Sequence, residues 1–250
     1  MEYLTAFLPK YPANQNILNT LRLKVPGGEG WGGTRSLQTN HDTLIPMQLY
    51  AATSNPGKLA EFATSASTAG ITVLALPGLK DIPEPIEDAP TFQGNADLKA
   101  IAYSLAAPNL LVFADDSGLE VPALNNQPGV RSARFADDLH FEPNSPRSKD
   151  ERNNALLLHL MQHQPARAAH FVCTLALARN GQVLLRAQGS VEGQLLHSPQ
   201  GEAGFGYDPL FLISALNQTF AELPRAQKWH LSHRGIAFRS LLTKLENLKT

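Results

Sequence analysis

The chain has 250 residues, of which 43% are hydrophobic and 17% charged, a composition typical of a globular protein with one large or two small domains. Its formal net charge is −1, so no overall field attracts nucleic acid or an anionic membrane surface. No apolar run reaches the ~20 residues that a membrane-spanning helix requires, and we expect neither nucleic acid nor a membrane as a partner.

The first 46 residues differ from the rest. Residues 26–42 are polar and glycine-rich, without helical or strand periodicity. Met47 precedes the first strand-like segment, either as an alternative start or as the first residue after an added tail. We expect a flexible N-terminal extension over residues 1–46 and one folded domain over residues 47–250. The absence of a signal-like N-terminus and the single Cys173, in an apolar run that predicts a buried and inert thiol, favour a cytoplasmic location.

Strand-like and helix-like segments alternate from Met47 onward. Short apolar runs that predict strands alternate with segments of helical spacing over most of the chain. Two longer strands then face each other across a turn at Asn180-Gly181, a dipeptide typical of hairpins. The segment from Pro122 to Arg147 is rich in loop residues. Alternation with one late hairpin predicts a mixed α/β sheet flanked by helices. The predicted strands are residues 47–54, 71–77, 109–117, 169–181 and 182–196, and the predicted helices are residues 55–70, 91–107, 148–163 and 232–248.

A lysine lies in the first turn of the first predicted helix. Asn55 is a natural N-cap and Pro56 suits the first helical position, which places Lys58 near the positive end of the helix dipole. A cation there is unfavourable by roughly 0.3–1 kcal/mol, whereas free backbone N–H groups beside a lysine form an anion site. This motif alone leaves a solvated surface lysine as the alternative. It is not a Walker A loop, because Leu59 follows the lysine.

The last predicted helix begins in the same way. Ser232 is a natural N-cap, so His233 and Arg234 lie in the first turn, and Lys228 precedes the cap by four residues. An exposed basic turn is the alternative reading. Two helix starts of this kind in one domain are harder to explain as surface turns than one would be.

Three further features are compatible with a ligand site or with ordinary surface structure. Asn95 and Lys99 are spaced to share one helix face, and Glu87 lies in the loop before that helix. The segment GFGYDPLF, residues 204–211, places Phe205 and Tyr207 among glycines, so that either ring could stack on a flat base. A structural turn into the next strand is the alternative there.

Two adjacent carboxylates, Asp115 and Asp116, follow the apolar run 110–114. Neighbouring residues on a strand point to opposite faces, which gives the two aspartates different surroundings. We expect the strand to end at this pair, at the edge where open α/β sheets bind ligands. Buried carboxylates need a cation, and Mg²⁺ prefers carboxylate and phosphate oxygens. An Asx-turn with both groups solvated is the alternative.

Taken in order, these motifs resemble the inosine triphosphate pyrophosphatase family. The resemblance extends from Met47 to the C-terminus and rests on TSNPGKLAEF, TFQGNADLKA, FADDSGL, PGVRSARF, GFGYDPLF and SHRGIAFR. It implies a long mixed β-sheet flanked by helices, with two lobes and a nucleotide cleft between them, and a homodimer. It also implies Mg²⁺-dependent hydrolysis of ITP, dITP and XTP to the monophosphate and pyrophosphate.

The resemblance also implies a role for each motif residue. Asp116 acts as the general base, with Asp115 in support, and Glu87 and Asp116 hold the metal. The substrate-binding residues would be Thr53, Ser54, Asn55, Pro56, Gly57, Lys58 and Lys99 at the triphosphate, Ser117 beside it, and Phe205, Gly206, Tyr207, Asp208, Lys228, His233 and Arg234 around the nucleoside, with Phe205 stacking on the base.

The chain departs from the usual pattern at Ser54, where glycine is common, and around Glu87, where an acidic pair usually precedes Thr-Gly. Two other functions fit similar motifs: a nucleotide sensor without catalysis, and a related pyrophosphatase for pyrimidine or modified nucleotides. The intact acidic pair argues against the sensor, and the SHR and FGYD segments favour purines.

Overall fold

Residues 47–67 and 69–247 are described in a computed structural model of the chain. They form an eight-stranded mixed sheet in the order β2-β1-β3-β5-β6-β7-β8, with β4 pairing to β3. β1 runs parallel to β2 and β3, and the other pairs are antiparallel. The strands are β1 Gln48–Ala51, β2 Thr72–Ala75, β3 Val112–Val121, β4 Gln127–Pro128, β5 Ala168–Arg179, β6 Gln182–Leu195, β7 Phe211–Ile213 and β8 Gln218–Thr219.

Helices cover both faces of this sheet, as the strand–helix alternation predicts. α1 and α6 pack on the face to which Phe113 points, and α2 packs on the opposite face, to which Ala114 points. The helices are α1 Pro56–Ser67, α2 Phe92–Ala106, α3 Phe135–Asp138, α4 Lys149–Leu160, α5 Arg225–Leu231 and α6 His233–Asn247, with 3₁₀ turns at Leu79–Asp81, Pro122–Leu124, Gly129–Arg134 and Asp208–Leu210.

Two large apolar cores lie along the sheet. The first joins α1 and α6 to the sheet around Phe62, Phe113 and Phe238, whose rings meet at centroid distances of 4.8–5.5 Å. The second surrounds Phe171 and Phe211, whose centroids are 4.5 Å apart.

The predicted hairpin and the predicted thiol environment are both confirmed. Asn180 and Gly181 connect β5 to β6 with φ values of 50° and 77°, the positive values that a tight two-residue turn requires. Cys173 is fully buried in β5, and burial raises its pKa to about 12, so the thiol is inert. Within the described residues, none of the helices has both the length and the apolar character needed to cross a membrane.

The prediction that the strand ends at the acidic pair is wrong. β3 continues to Val121, so both aspartates lie in the middle of the strand. There Asp115 pairs with Leu175 of β5, and Asp116 pairs with Thr174. Gly118 lies inside β3 and does not end it. It allows the 3₁₀ turn Gly129–Arg134 to pack closely against the strand. A Cβ atom there would lie 2.3 Å from the Ser132 hydroxyl oxygen, so the 3₁₀ turn can approach the strand only at glycine.

Candidate functional site

The two aspartates of β3 lie on opposite faces of the sheet, as strand alternation predicts. Asp115 shares its face with α1 and α6, and Asp116 shares its face with α2. Each is only 8% exposed. The strand therefore supplies one buried carboxylate to each side, and the surroundings of the two groups differ.

Asp115 is held as a carboxylate by two cations. Its Oδ2 atom lies 2.8 Å from Lys58 Nζ and 3.6 Å from Arg234 Nε, and it accepts a hydrogen bond from the Ser117 hydroxyl at 3.4 Å. Burial alone would raise the pKa of Asp115, but the charges of Lys58 and Arg234 outweigh it and lower the pKa well below the ordinary value. Burial alone would likewise lower the pKa of Arg234, and Asp115 raises it. This side is a fixed ionic cluster.

Asp116 has a different environment. Asn95 donates to its Oδ2 and Lys99 to its Oδ1, both at 3.2 Å. Lys99 also contacts Glu87 at 3.0 Å. Burial is the largest cause that raises the pKa of Asp116, to about 6, and the charge of Glu87 adds to it while Lys99 opposes it. Asp116 is thus a carboxylate that can take up and release a proton near neutral pH.

Glu87 and Asp116 converge on one cation. The Lys99 ammonium group lies between their carboxylates. The negative charge of Glu87 raises the pKa of Asp116, because the two acids share one positive neighbour. Oxygen donors in this arrangement suit a hard divalent ion such as Mg²⁺. Among the described residues, no three His, Cys, Asp or Glu side chains are arranged to hold a metal ion together, so a metal here would need further ligands from substrate or water.

The start of α1 forms one wall of a pocket of about 560 Å³. Asn55 caps the helix as predicted, because its side-chain oxygen accepts from the Lys58 N–H at 3.1 Å. Pro56 and Gly57 occupy the exposed first turn, and the Gly57 carbonyl accepts from Arg225. The polar and charged side chains that line it are Thr53, Ser54, Tyr103, the lysines Lys58, Lys80 and Lys99, and the acids Asp81, Glu84, Glu87 and Asp115.

A second, mostly apolar pocket adjoins the Asp115 side of the sheet. Ser117 and Arg234 line it beside Phe205, Tyr207 and Phe171. Phe205 is 45% exposed, and Lys228 Nζ and the Arg234 guanidinium carbon lie 5.0 Å and 5.4 Å from its ring centroid. A flat apolar ring with cations at its face suits a nucleobase that carries carbonyl oxygens.

In the GFGYDPLF segment, Asp208 and Tyr207 make contacts that hold the fold together. Asp208 is buried, forms a short ion pair with Lys228 and accepts from the Phe205 N–H at 2.8 Å. Tyr207 belongs to the second core, and its hydroxyl donates to the Ser132 carbonyl at 2.9 Å. Tyr207 is thus not the stacking ring, which leaves Phe205 for that contact. Gly206, between Phe205 and Tyr207 in the sequence, lines the same pocket.

The start of α6 brings His233 and Arg234 to this pocket. Ser232 caps the helix as predicted by accepting from the Gly235 N–H at 3.1 Å. His233 is buried and stacked on Phe171 with a centroid distance of 4.7 Å. Burial and then the charge of Arg234 lower its pKa well below the ordinary value, so the ring is neutral. Arg234 donates to the Ser117 hydroxyl at 3.2 Å. Both residues also contact Asp115, which lines the larger pocket, so these contacts connect the two pockets.

Sequence reasoning missed two groups of residues at these pockets. Lys80 lies in a 3₁₀ turn outside every predicted element, and it lines the larger pocket. Asp150 and Asn153 of α4 line the smaller pocket. The buried Asn153 was detectable in principle, because it shares the apolar face of α4 with Leu156 and Leu157. A polar residue on a buried face requires a partner, and Asn153 accepts from the Ala136 N–H at 2.8 Å.

Known proteins resemble this chain over most of the described residues. The sequence profile of the Ham1 family matches residues 49–244. A dITP/XTP pyrophosphatase of Acidobacterium capsulatum is 51% identical over 201 residues, which are 80% of this chain and 99% of that protein. A dITP/XTP pyrophosphatase of Thermus thermophilus is 43% identical over 201 residues, or 80% of this chain and 92% of that protein.

Solved structures give the same relationship. The Ham1 protein of Staphylococcus aureus superposes with a TM-score of 0.69 at 36% identity, covering 80% of this chain and 98% of that one. A dITP/XTP pyrophosphatase of Mycobacterium abscessus superposes with a TM-score of 0.58 at 37% identity, covering 78% of this chain and 99% of that one. The mixed α/β architecture is therefore shared with these proteins.

Proposed function

The chain belongs to the Ham1 family, and on that premise we propose that it hydrolyses ITP, dITP and XTP to the nucleoside monophosphate and pyrophosphate. The observation that carries the proposal is the opposed pair on β3. Asp115 is a permanent carboxylate between two cations, and Asp116 is a carboxylate whose pKa lies near 6. A fixed charge network beside a group that can exchange protons is what the hydrolysis of a phosphoanhydride requires.

The triphosphate would lie in the larger pocket. Lys58, in the first turn of α1, lines this pocket, and Lys80 and Lys99 add positive charge. Thr53 and Ser54 supply hydroxyl donors from the segment before the helix. Asn55 caps the first turn through the Lys58 N–H, so that Lys58 is positioned before the substrate arrives.

Glu87 and Asp116 would hold Mg²⁺ together with oxygens of the substrate. Their carboxylates already face one cation, Lys99, and hard oxygen donors of this kind match the preference of the ion. When bound, Mg²⁺ neutralises phosphate charge and draws electron density from the phosphoryl oxygens. Lys99, beside these carboxylates, would add positive charge for the phosphates.

Asp116 would accept the proton of the attacking water. At mildly alkaline pH, above its pKa of about 6, Asp116 is ionised and can accept this proton. Asn95 orients the carboxylate through its Oδ2 atom. As water adds to phosphorus, the bond between the α and β phosphates breaks and pyrophosphate leaves. Asp115 supports this step indirectly, because it holds Lys58 and Arg234 in place.

The nucleobase would occupy the smaller pocket, with Phe205 stacked on it. Lys228, Arg234 and the neutral His233 can donate hydrogen bonds to a 6-oxo group, which hypoxanthine and xanthine both carry. Adenine presents an amino group at that position, so donors would face donors and remain unpaired. The site therefore favours deaminated purines over adenine.

Release of pyrophosphate from a panel of substrates tests the proposal. Purified protein with MgCl₂ at mildly alkaline pH is given ITP, dITP, XTP, ATP, dUTP and a modified TTP, and pyrophosphate is measured by a coupled assay. We expect turnover of ITP, dITP and XTP and at least a hundredfold lower kcat/KM for ATP, a ratio that unpaired buried donors can produce. The proposal fails if neither ITP nor XTP yields pyrophosphate. Preferential turnover of dUTP or modified TTP would instead indicate a related pyrophosphatase for pyrimidine or modified nucleotides.

A homodimer and a cytoplasmic location remain part of the proposal. The dimer has its support in the family resemblance, and light scattering coupled to size-exclusion chromatography measures it directly. The cytoplasmic location has its support in the substrate class, because nucleoside triphosphates are concentrated there, and fractionation of cells tests it.

A further inference from the structure

The loop that carries Phe205 is held by α4. Gly206 follows Phe205, and its N–H donates to Asp150 Oδ2 at 2.7 Å. Its carbonyl oxygen accepts from Asn154 Nδ2 at 2.9 Å. Asp150 and Asn154 are four residues apart and share one face of the helix. Both backbone polar groups of Gly206 are therefore bound by side chains that lie more than 50 residues away in the sequence.

Packing does not fix Gly206 in the same way. Its φ is +61°, a value that glycine adopts without strain, and a Cβ atom built on it would have no neighbour within 4 Å. Gly204, on the other side of Phe205, also has a positive φ of 85°. A segment with two such glycines has many accessible conformations, and its hydrogen bonds must select one of them.

The orientation of Phe205 depends on this backbone. The ring is 45% exposed and has Lys228 and Arg234 at its face, whereas its own N–H is bound by Asp208. The next residue after Gly206, Tyr207, is anchored in the core through Ser132. Gly206 is thus the one peptide between the exposed ring and the buried anchor, and α4 holds it. A hydrogen bond to an ionised acceptor such as Asp150 is stronger than a neutral one.

We propose that Asp150 and Asn154 are positioning residues for nucleobase binding. By holding the Gly206 peptide they set the plane and depth at which Phe205 covers the base. The consequence for substrate rests on the proposed function, whereas the restraint on the loop does not. Asn154 Oδ1 is buried and accepts no hydrogen bond among the described residues. An unpaired acceptor is unfavourable, so the side chain is better explained by its donor contact with Gly206.

Hydrogen exchange of the Gly206 amide tests the restraint without reference to activity. In Asp150→Ala the amide loses its acceptor, and we expect its exchange to accelerate by at least tenfold. Asp150→Asn keeps a carbonyl oxygen in the same place, so most of the protection should remain. Asp137→Ala is the matched control, because Asp137 contacts α4 through Arg152 at 2.7 Å but does not touch the loop. Unchanged exchange in Asp150→Ala would overturn the proposal.

Kinetics and product binding test the consequence. We expect Asp150→Ala to raise KM for ITP roughly tenfold, equivalent to about 1.4 kcal/mol, with kcat within about twofold of the wild type. Calorimetry should show weaker binding of IMP and unchanged binding of pyrophosphate, since only the base contacts Phe205. Asn154→Leu, which removes the other hydrogen bond, should give the same pattern if Asp150→Ala does not fold.

Two outcomes separate the proposals from each other. A parallel fall of kcat, Tm and pyrophosphate affinity in both variants would indicate a purely structural contact and overturn the positioning function. If the wild type releases no pyrophosphate from ITP, the proposed enzyme activity fails, and the exchange experiment still decides whether α4 restrains the loop.

Discussion

Asp115 and Asp116 are neighbours in the chain, and their pKa values move in opposite directions. The difference arises from the strand, which turns consecutive side chains toward different helices. Lys58 and Arg234 stabilise the charge of Asp115, whereas burial and Glu87 disfavour the charge of Asp116. On one face of the sheet Asp115 therefore belongs to a fixed ionic cluster, and on the other face Asp116 can exchange protons.

Replacing Asp116 by Asn should abolish turnover and increase stability at pH 8. Because the folded-state pKa is raised to about 6 from 3.8, the ionised form is a cost to the folded protein at any pH above 6. A neutral amide removes about 2 kcal/mol of that cost, keeps the partner for Asn95, and leaves Lys99 paired with Glu87. Pyrophosphate release and urea unfolding at pH 8 measure the two effects. Retained turnover would contradict the assignment of the base.

The pH profile of kcat/KM should have an acid limb near pH 6. Asp116 must be ionised to accept a proton from water, so activity should rise as pH increases through the pKa of about 6 and then level off. Because kcat/KM reports the free enzyme, this limb should be the same for ITP and XTP once their own ionisation is taken into account. Activity that is constant from pH 5 to pH 8 would exclude Asp116 as the base.

Replacing Asp115 by Asn should destabilise the protein at neutral pH. The change leaves Lys58 and Arg234 without their buried counter-charge, at a cost of about 3 kcal/mol. A carboxylate whose pKa is lowered on folding contributes stability above its ordinary pKa, and this contribution is lost as the pH falls through the folded-state pKa. The difference in urea unfolding between wild type and variant should therefore be large at pH 7 and shrink toward pH 2.

The surface variant Asp97→Asn is the control for Asp115. Asp97 pairs with the half-exposed Arg186 at 3.0 Å, and an exposed pair of this kind is worth less than about 1 kcal/mol. A similar loss of stability in the two variants would contradict the importance of burial at Asp115.

At the level of elements, local signals predicted where the helices of the site begin. Asn55 and Ser232 cap α1 and α6 with the hydrogen bonds that their side chains are suited to make, and both signals lie within four residues of sequence. The end of β3 was not predictable in the same way. Ser117-Gly118 is a common turn signal. The strand nevertheless continues because β3 pairs with β5 and because Ser132 packs against Gly118. The partners in both contacts are remote in sequence.

Gly189 on β6 sets the position of α6. A Cβ atom there would lie 2.3 Å from the His233 carbonyl oxygen and 2.5 Å from the Ala237 nitrogen. Gly189→Ala should therefore displace the helix start, with a loss of about 1–3 kcal/mol in unfolding free energy and a rise in KM for ITP, because His233 and Arg234 move with it. Ser190→Ala, on the exposed side of the same strand, is the control and should change neither quantity. Equal stability of the two variants would contradict the close packing.

At the scale of the whole molecule, the site is assembled from segments that are far apart in sequence. Motifs with strong local chemistry, such as the cap beside Lys58, could be recognised before the fold was known. Lys80 and Asp150 could not, because nothing in their immediate sequence distinguishes them from surface charges. Their function depends on which loop the sheet places opposite them, and that is decided by tertiary packing.

Removing residues 1–46 should leave the activity intact. Every residue assigned to the two pockets lies between Ala52 and Arg234, and the family profile begins at residue 49. Among the described residues, the two apolar cores take their side chains from Met47 onward. We expect the 47–250 protein to retain kcat and KM for ITP within about twofold and Tm within a few degrees, since ~1 kcal/mol shifts Tm by about 2–4 °C in a domain of this size. A tenfold loss of kcat/KM with an unchanged Tm would show that the N-terminal residues contribute to the site. A loss of both would show that they contribute to the fold, and either result would contradict a domain boundary at Met47.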